Sequence, residues 1–126
     1  ELSDNTEVIY NEIIKYIKKK YSSTMVKPFK GNPNIKAFVT DENKWYALIL
    51  DVEYNKLNKD SSIESKVKII NLKHNTNHIP KIINERNIFP SYHMSKKHWI
   101  SVVIDNNIDL DYLKRLIDIS YKLVNK

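Results

Sequence analysis

Cysteine is absent from all 126 residues, which excludes disulfides, thiolate metal sites and cysteine nucleophiles. A reducing, cytoplasmic setting is the expectation that fits. Glycine occurs once, at Gly31, so the chain has no Gly-x-Gly or Gly-Lys-Ser/Thr pattern and no backbone nest for nucleotide phosphates. No apolar run approaches the roughly 20 residues of a membrane span, and a membrane is not an expected partner. No signal-like apolar stretch is seen either, although the chain opens at Glu1, which leaves room for a segment upstream. Arginine is nearly missing: Arg86 and Arg115 stand against an otherwise all-lysine set of cations. Arginine makes the bidentate contact to guanine that dominates base readout, whereas lysine acts as a point charge suited to phosphates. Sequence-specific DNA reading is therefore disfavoured.

The 21 basic and 15 acidic residues leave a formal charge of +6, which speaks to non-specific association rather than to fold. Codon use in an AT-rich genome accounts for abundant lysine, asparagine and isoleucine equally well. With 41% hydrophobic and 29% charged residues, the composition is that of a globular protein, and the length suits one domain, residues 1–126, around one core.

Val8, Ile9, Ile13, Ile14 and Ile17 recur at helical spacing over residues 5–20, with Lys18, Lys19 and Lys20 at the C-terminal end to complement the helix dipole. Asp4 followed by Glu7 offers a capping-box-like start. Pro28, Gly31 and Pro33 mark a tight loop. Ile35, Ala37 and Val39 then alternate with polar residues, Asp41–Lys44 makes a turn, and Trp45–Val52 is apolar on both faces, which predicts a hairpin with a central second strand. Residues 53–65 read as a charged, projecting and mobile loop. Lys66–Leu72 alternates again, and Ile79, Ile82 and Ile83 predict a short helix starting near Asn75 or Thr76, with Pro80 in its first turn.

Tyr92–Met94 and His98–Ile104 are predicted as strands either side of a Ser95-Lys96-Lys97 turn. Asp109 can cap a last helix in which Leu110, Leu113, Ile117, Tyr121 and Val124 form one stripe, widened by Leu116, Ile119 and Leu123. The predicted fold is α+β: a two-layer sandwich of order α-β-β-β-α-β-β-α, with a mostly antiparallel five-stranded sheet and helices on one face.

His74 and His78 are four residues apart, but His74 falls at a strand end, and zinc needs at least three protein ligands. No metal and no cofactor is expected. Glu53, Asp60, Glu64 and Glu85 are scattered, with no pairing for acid–base work. Near His93 or His98 no nucleophile, orienting carboxylate or oxyanion-binding amides are in view, so enzymatic use of either histidine ranks last and no catalytic residue is assigned. A binding reading fares better. Lys66, Lys68, Lys73, Lys96 and Lys97 fall on strands or a hairpin tip, interleaved with Tyr92, His93, His98 and Trp99. Such lysines give sequence-tolerant, salt-sensitive affinity, and exposed aromatics stack on unpaired bases. Against this, Lys66 and Lys68 would simply keep a strand face in water, and Trp99 would contribute to the core.

Tyr92-His93-Met94-Ser95-Lys96-Lys97-His98-Trp99, together with Trp45–Asp51, Asn71-Leu72-Lys73 and Ser120-Tyr121, resembles the MmcQ/YjbR family of small bacterial proteins over about residues 26–124. Ser95 stands where the family motif carries asparagine; for a turn or ligand contact made through that amide, serine would keep one hydroxyl and lose the second donor. The resemblance implies a two-layer sandwich of the same order, related in shape to secretion chaperones and to a "double wing" nucleic-acid-binding domain. Two functions follow as expectations: a non-enzymatic domain that binds DNA or another nucleic acid, and, as the alternative, a protein-interaction or chaperone-like module using the apolar surface of residues 110–124.

Overall fold

The computed structural model describes the backbone of residues 4–105 and 107–125, with side chains from Thr6 onward. The expected capping contact of Asp4 lies outside the described residues. The elements run α1 (Asp4–Tyr21), β1 (Thr24–Val26), β2 (Lys36–Val39), β3 (Trp45–Glu53), a single 3-10 turn (Tyr54–Lys56), β4 (Lys66–Lys73), α2 (Ile79–Ile82), β5 (Ile88–Pro90), β6 (Trp99–Val103) and α3 (Leu110–Val124). The strands form one antiparallel sheet in the order β1-β2-β3-β4-β6-β5. The α+β class, the central hairpin and the helical face are as the sequence predicts.

Four local expectations are corrected. The sheet has six strands, not five: β1 pairs Thr24 with Val39 and Val26 with Ala37, and its three residues are too few to display a period. The strand beside β6 is Ile88–Pro90 rather than Tyr92–Met94. It puts Ile88 and Phe89 into the two cores and ends where Pro90 has no amide to donate. Helix α2 starts at Ile79 with His78 as its N-cap and Pro80 in its first turn, because Asn75 instead closes a preceding turn by accepting from the amides of His78 and Ile79. The 53–65 segment folds back on the sheet: Leu57 is buried, and the amides of Tyr54 and Asn55 donate to the carbonyls of Ser65 and Ile63.

Strand alternation divides the apolar residues between two cores. On the helical face, Ile49, Ile70, Leu72, Ile100 and Val102 meet Ile13 and Ile17 of α1 and Leu113, Leu116 and Ile117 of α3. Burial of each such side chain contributes about 1.5–3 kcal/mol. Asp109 caps α3 by accepting from the amide of Tyr112. On the opposite face, Ala37, Leu48, Leu50, Ile69, Phe89 and Val103 are covered by connecting segments rather than helices, through Leu57, Tyr54, Tyr92 and Met94. The apolar face of α3 is thus spent inside, with Ile119 37% exposed at its margin. Val8 is 60% exposed, outside the buried stripe of α1.

Candidate functional site

The segment Ser91–His98 leaves the sheet after β5 and returns at Trp99. Its course is fixed by Asn71, a fully buried polar residue of β4. The Asn71 amide donates to the Tyr92 carbonyl at 3.0 Å, its carbonyl oxygen accepts from the Ser101 hydroxyl at 2.5 Å, and that hydroxyl accepts from the Tyr92 amide at 2.8 Å. Both polar groups of the Tyr92 peptide are therefore held from the sheet. Beyond this anchor His93 takes a left-handed backbone conformation, φ 67°, uncommon for a residue with a side chain. Its ring lies 4.0 Å from that of Tyr92. Ser95 then accepts from the amides of His98 and Trp99, closing a tight turn with Lys96 and Lys97 at its tip.

The predicted site residues do not form one surface. Lys66 and Lys68 point to the helical face: the Lys68 ammonium lies 2.9 Å from Asp51 and 4.9 Å from the ring centre of Tyr10, and Lys66 stands opposite Glu53 in the register. Lys73 pairs with Trp99 across β4 and β6 on the other face, where Tyr92, His93 and Lys96 line one cavity with Phe89; Lys97 and His98 line neither cavity of that face. His93, Lys96, Lys97 and His98 are exposed, whereas Lys73, Tyr92 and Trp99 are half-buried. Lys96 donates to the Ser91 carbonyl at 2.9 Å. His98 bonds the Thr76 hydroxyl through Nδ1 at 3.0 Å.

Two cavities flank the ridge made by His93 and Met94. One, of about 520 Å³, is lined by Lys56, Lys59 and Lys96, by Asp60 and Glu85, and by the rings of Phe89 and Tyr92. The other, of about 490 Å³, is mainly apolar, with Trp45, Phe29, Ile35, Leu48 and Met94 around it and Asn32, His93 and Ser95 as its polar atoms. Sequence reasoning missed this second site, because Phe29 and Trp45 reach it from a loop and a strand that share no local pattern with the 91–98 segment.

His74 and His78 place their ring centres 6.4 Å apart, and among the described residues no three histidine or carboxylate groups converge as a metal site. The His74 Nδ1 atom is buried without a hydrogen-bond partner. Burial, helped by the nearby His78, holds the His74 imidazole below its ordinary pKa.

A second polar cluster, also unforeseen, joins α1 to α3. The Asp118 carboxylate accepts from the Tyr16 hydroxyl at 2.8 Å, from the Tyr21 hydroxyl and from Lys20 at 3.0 Å. Tyr21 stacks on Tyr121, which meets Tyr46 edge-on. Burial pushes the Tyr46 hydroxyl up to about 12, and burial with the Asp118 contact raises Tyr21 further. At Asp118 burial opposes ionisation, but the hydrogen bonds from Tyr21, Tyr16 and Lys20 outweigh it and hold the carboxyl below its ordinary value.

An open antiparallel sheet, backed by helices on one face and crossed by an anchored basic turn on the other, defines a small two-layer α+β domain. The sequence model of the YjbR family matches residues 18–123, and the chain belongs to that family. It is similar to the uncharacterized protein YyaQ of Bacillus subtilis (strain 168), 34% identical over 113 residues, which span 89% of this chain and 94% of YyaQ. A Pseudomonas syringae crystal structure superposes with a TM-score of 0.84 at 30% identity, covering 90% of this chain and 97% of that one. Deinococcus radiodurans DR2400, a DUF419 domain, matches with a TM-score of 0.71 at 21% identity, over 93% of this chain and 78% of that one, a likeness of fold.

Proposed function

We propose that this protein is a non-enzymatic nucleic-acid-binding domain that grips phosphates through the Ser95–His98 turn. The observation that carries the reading is the run of exposed Lys96, Lys97 and His98 on a turn that follows the Tyr92 peptide, itself hydrogen-bonded to Asn71 and Ser101, beside half-buried Tyr92 and Trp99. Ammonium groups at a fixed tip release counterions from a phosphate chain, and neighbouring aromatic faces tolerate any base. Lys73 borders this surface, whereas Lys66 and Lys68 belong to the opposite side of the sheet and contribute only to the overall field. The competing protein-client reading loses its main support, since the apolar face of α3 packs against the sheet.

Fluorescence anisotropy of labelled random-sequence duplex and single-stranded DNA at about 50 and 200 mM salt tests the proposal. Micromolar or tighter binding at the lower salt, falling steeply at the higher, is expected. The Lys96→Ala/Lys97→Ala double variant should bind more weakly, with a salt slope lower by about 0.9 for each lost duplex phosphate contact. Absence of binding to either DNA at low salt would reject the proposal.

A further inference from the structure

Resting on the nucleic-acid reading above, we infer that the apolar cavity beside the Ser95–His98 turn receives an unstacked nucleobase, so that the ligand is a single strand rather than a duplex. At about 490 Å³ the cavity falls within the roughly 300–1,000 Å³ of small-molecule pockets. Its walls match the chemistry of a base. Trp45 and Phe29 meet edge-to-face at 5.9 Å, Trp45 is half-buried and Phe29 is 45% exposed, so ring surface remains for stacking. Leu48 and Met94 supply the apolar surround, and Asn32, His93 and Ser95 bring the donors and acceptors that a base edge requires.

Charge separates a nucleotide from a lipid chain or a peptide side chain as the occupant. Ser95 lines the cavity, and Lys96, next in the chain, lines the adjoining one with its ammonium 2.9 Å from the Ser91 carbonyl, so cationic groups stand just beyond the His93–Met94 ridge, on the side where the phosphates flanking an inserted base would run. The path continues past His93, which borders both cavities, into the neighbouring one, where Lys56, Lys59 and Lys96 outnumber Asp60 and Glu85 beside the Tyr92 ring. The left-handed backbone of His93 puts its ring on the ridge between them, a sparsely populated conformation of the kind that collects at ligand sites. In a duplex each base is already stacked and its pairing edge occupied, so a duplex can offer phosphates to Lys96 and Lys97 but nothing to the cavity.

The test uses the whole chain and three labelled probes of about twelve nucleotides: oligothymidine, oligothymidine paired with its complement, and a strand of the same length whose residues are all abasic. At about 50 mM salt oligothymidine should bind at least ~10-fold more tightly than either of the others, the scale of one base–aromatic stack. Trp45→Leu should bring oligothymidine down to the abasic strand without changing the abasic affinity, and Trp45→Phe should retain most of the preference. Equal binding of base-bearing and abasic strands by the unaltered protein would overturn the base pocket while leaving the phosphate interface standing. A preference for the duplex would do the same. Failure of all three probes to bind would remove both.

Discussion

Asn71 shows how one buried side chain can set the shape of a surface. It has no exposure, and its amide and carbonyl connect the Tyr92 carbonyl to the Ser101 hydroxyl. Asn71→Ala removes both contacts: the Tyr92 carbonyl keeps only the Ser91 hydroxyl at 3.5 Å and the Ser101 hydroxyl keeps the Tyr92 amide but loses its acceptor, so the combined cost is about 1–3 kcal/mol. Urea unfolding should show a loss in that range, and nucleic-acid affinity should fall with it as the turn loses its anchor; unchanged stability would contradict the assigned role. His74 allows a pH prediction. Its folded pKa lies below the unfolded value of 6.5, so its contribution to stability is complete above that value and declines as pH falls through it toward the lower folded pKa. A His74→Leu variant should therefore lose less stability than the parent between about pH 7.5 and pH 5.5, the interval that brackets a histidine. The Asn71-Leu72-Lys73 motif is visible in the sequence, but the task of Asn71 is not, because its partners lie 21 and 30 residues away.

Elements with enough residues to display a period were legible. Helices α1 and α3 follow from isoleucine and leucine at helical spacing, β3 from a run apolar on both faces whose successive residues enter different cores, and β4 from alternation. What could not be read was short or decided from a distance. Strand β1 is only three residues long, and β5 was displaced because Tyr92–Met94 has the aromatic content of a strand but is pulled out of the sheet by hydrogen bonds to Asn71 and Ser101. The docking of α1 on α3 belongs to the same class, since the Tyr16–Asp118 contact spans 102 residues. Asp118→Asn keeps the shape and removes the charge that accepts from Tyr16, Tyr21 and Lys20. Hydrogen bonds to a charged group are each worth about 1.5–3 kcal/mol, and the partial exposure of this cluster discounts that, so a net loss of about 1–2 kcal/mol in chemical denaturation is expected. The Asp118 carboxyl lies below its ordinary 3.8 in the folded state, so its contribution is present above 3.8 and is lost as pH falls through the lower folded value. The variant should show a flatter acid limb; a limb identical to that of the parent would exclude the carboxylate as the source of α1 docking.

The sheet divides the whole molecule into two sides that the sequence presents as one. Lysines read together along the chain separate in the fold: alternation sends Lys66 and Lys68 to the helical side, where Lys68 is paired with Asp51 and packed over Tyr10, and Lys73 to the opposite side, while Lys96 lines a cavity with Phe89 and Tyr92 on that opposite side and Lys97 follows it in the exposed turn. The formal charge of +6 belongs to both sides and attracts a polyanion at long range, but at about 0.15 M salt the screening length is roughly 8 Å. Contact then counts for more than the total. Two double variants carry the same change in net charge and so isolate position from charge. At that salt Lys66→Ala/Lys68→Ala should leave single-stranded DNA affinity within about two-fold of the parent, because a distant charge is screened. Lys96→Ala/Lys97→Ala should weaken it by about ten-fold or more, through the loss of direct phosphate contacts. Lowering the salt to about 10 mM lengthens the screening distance to roughly 30 Å, and the two variants should then converge as the overall field reaches the ligand from either side. Equal effects of the two pairs at 0.15 M would mean that charge acts without regard to face, and the turn would lose its claim to be the interface.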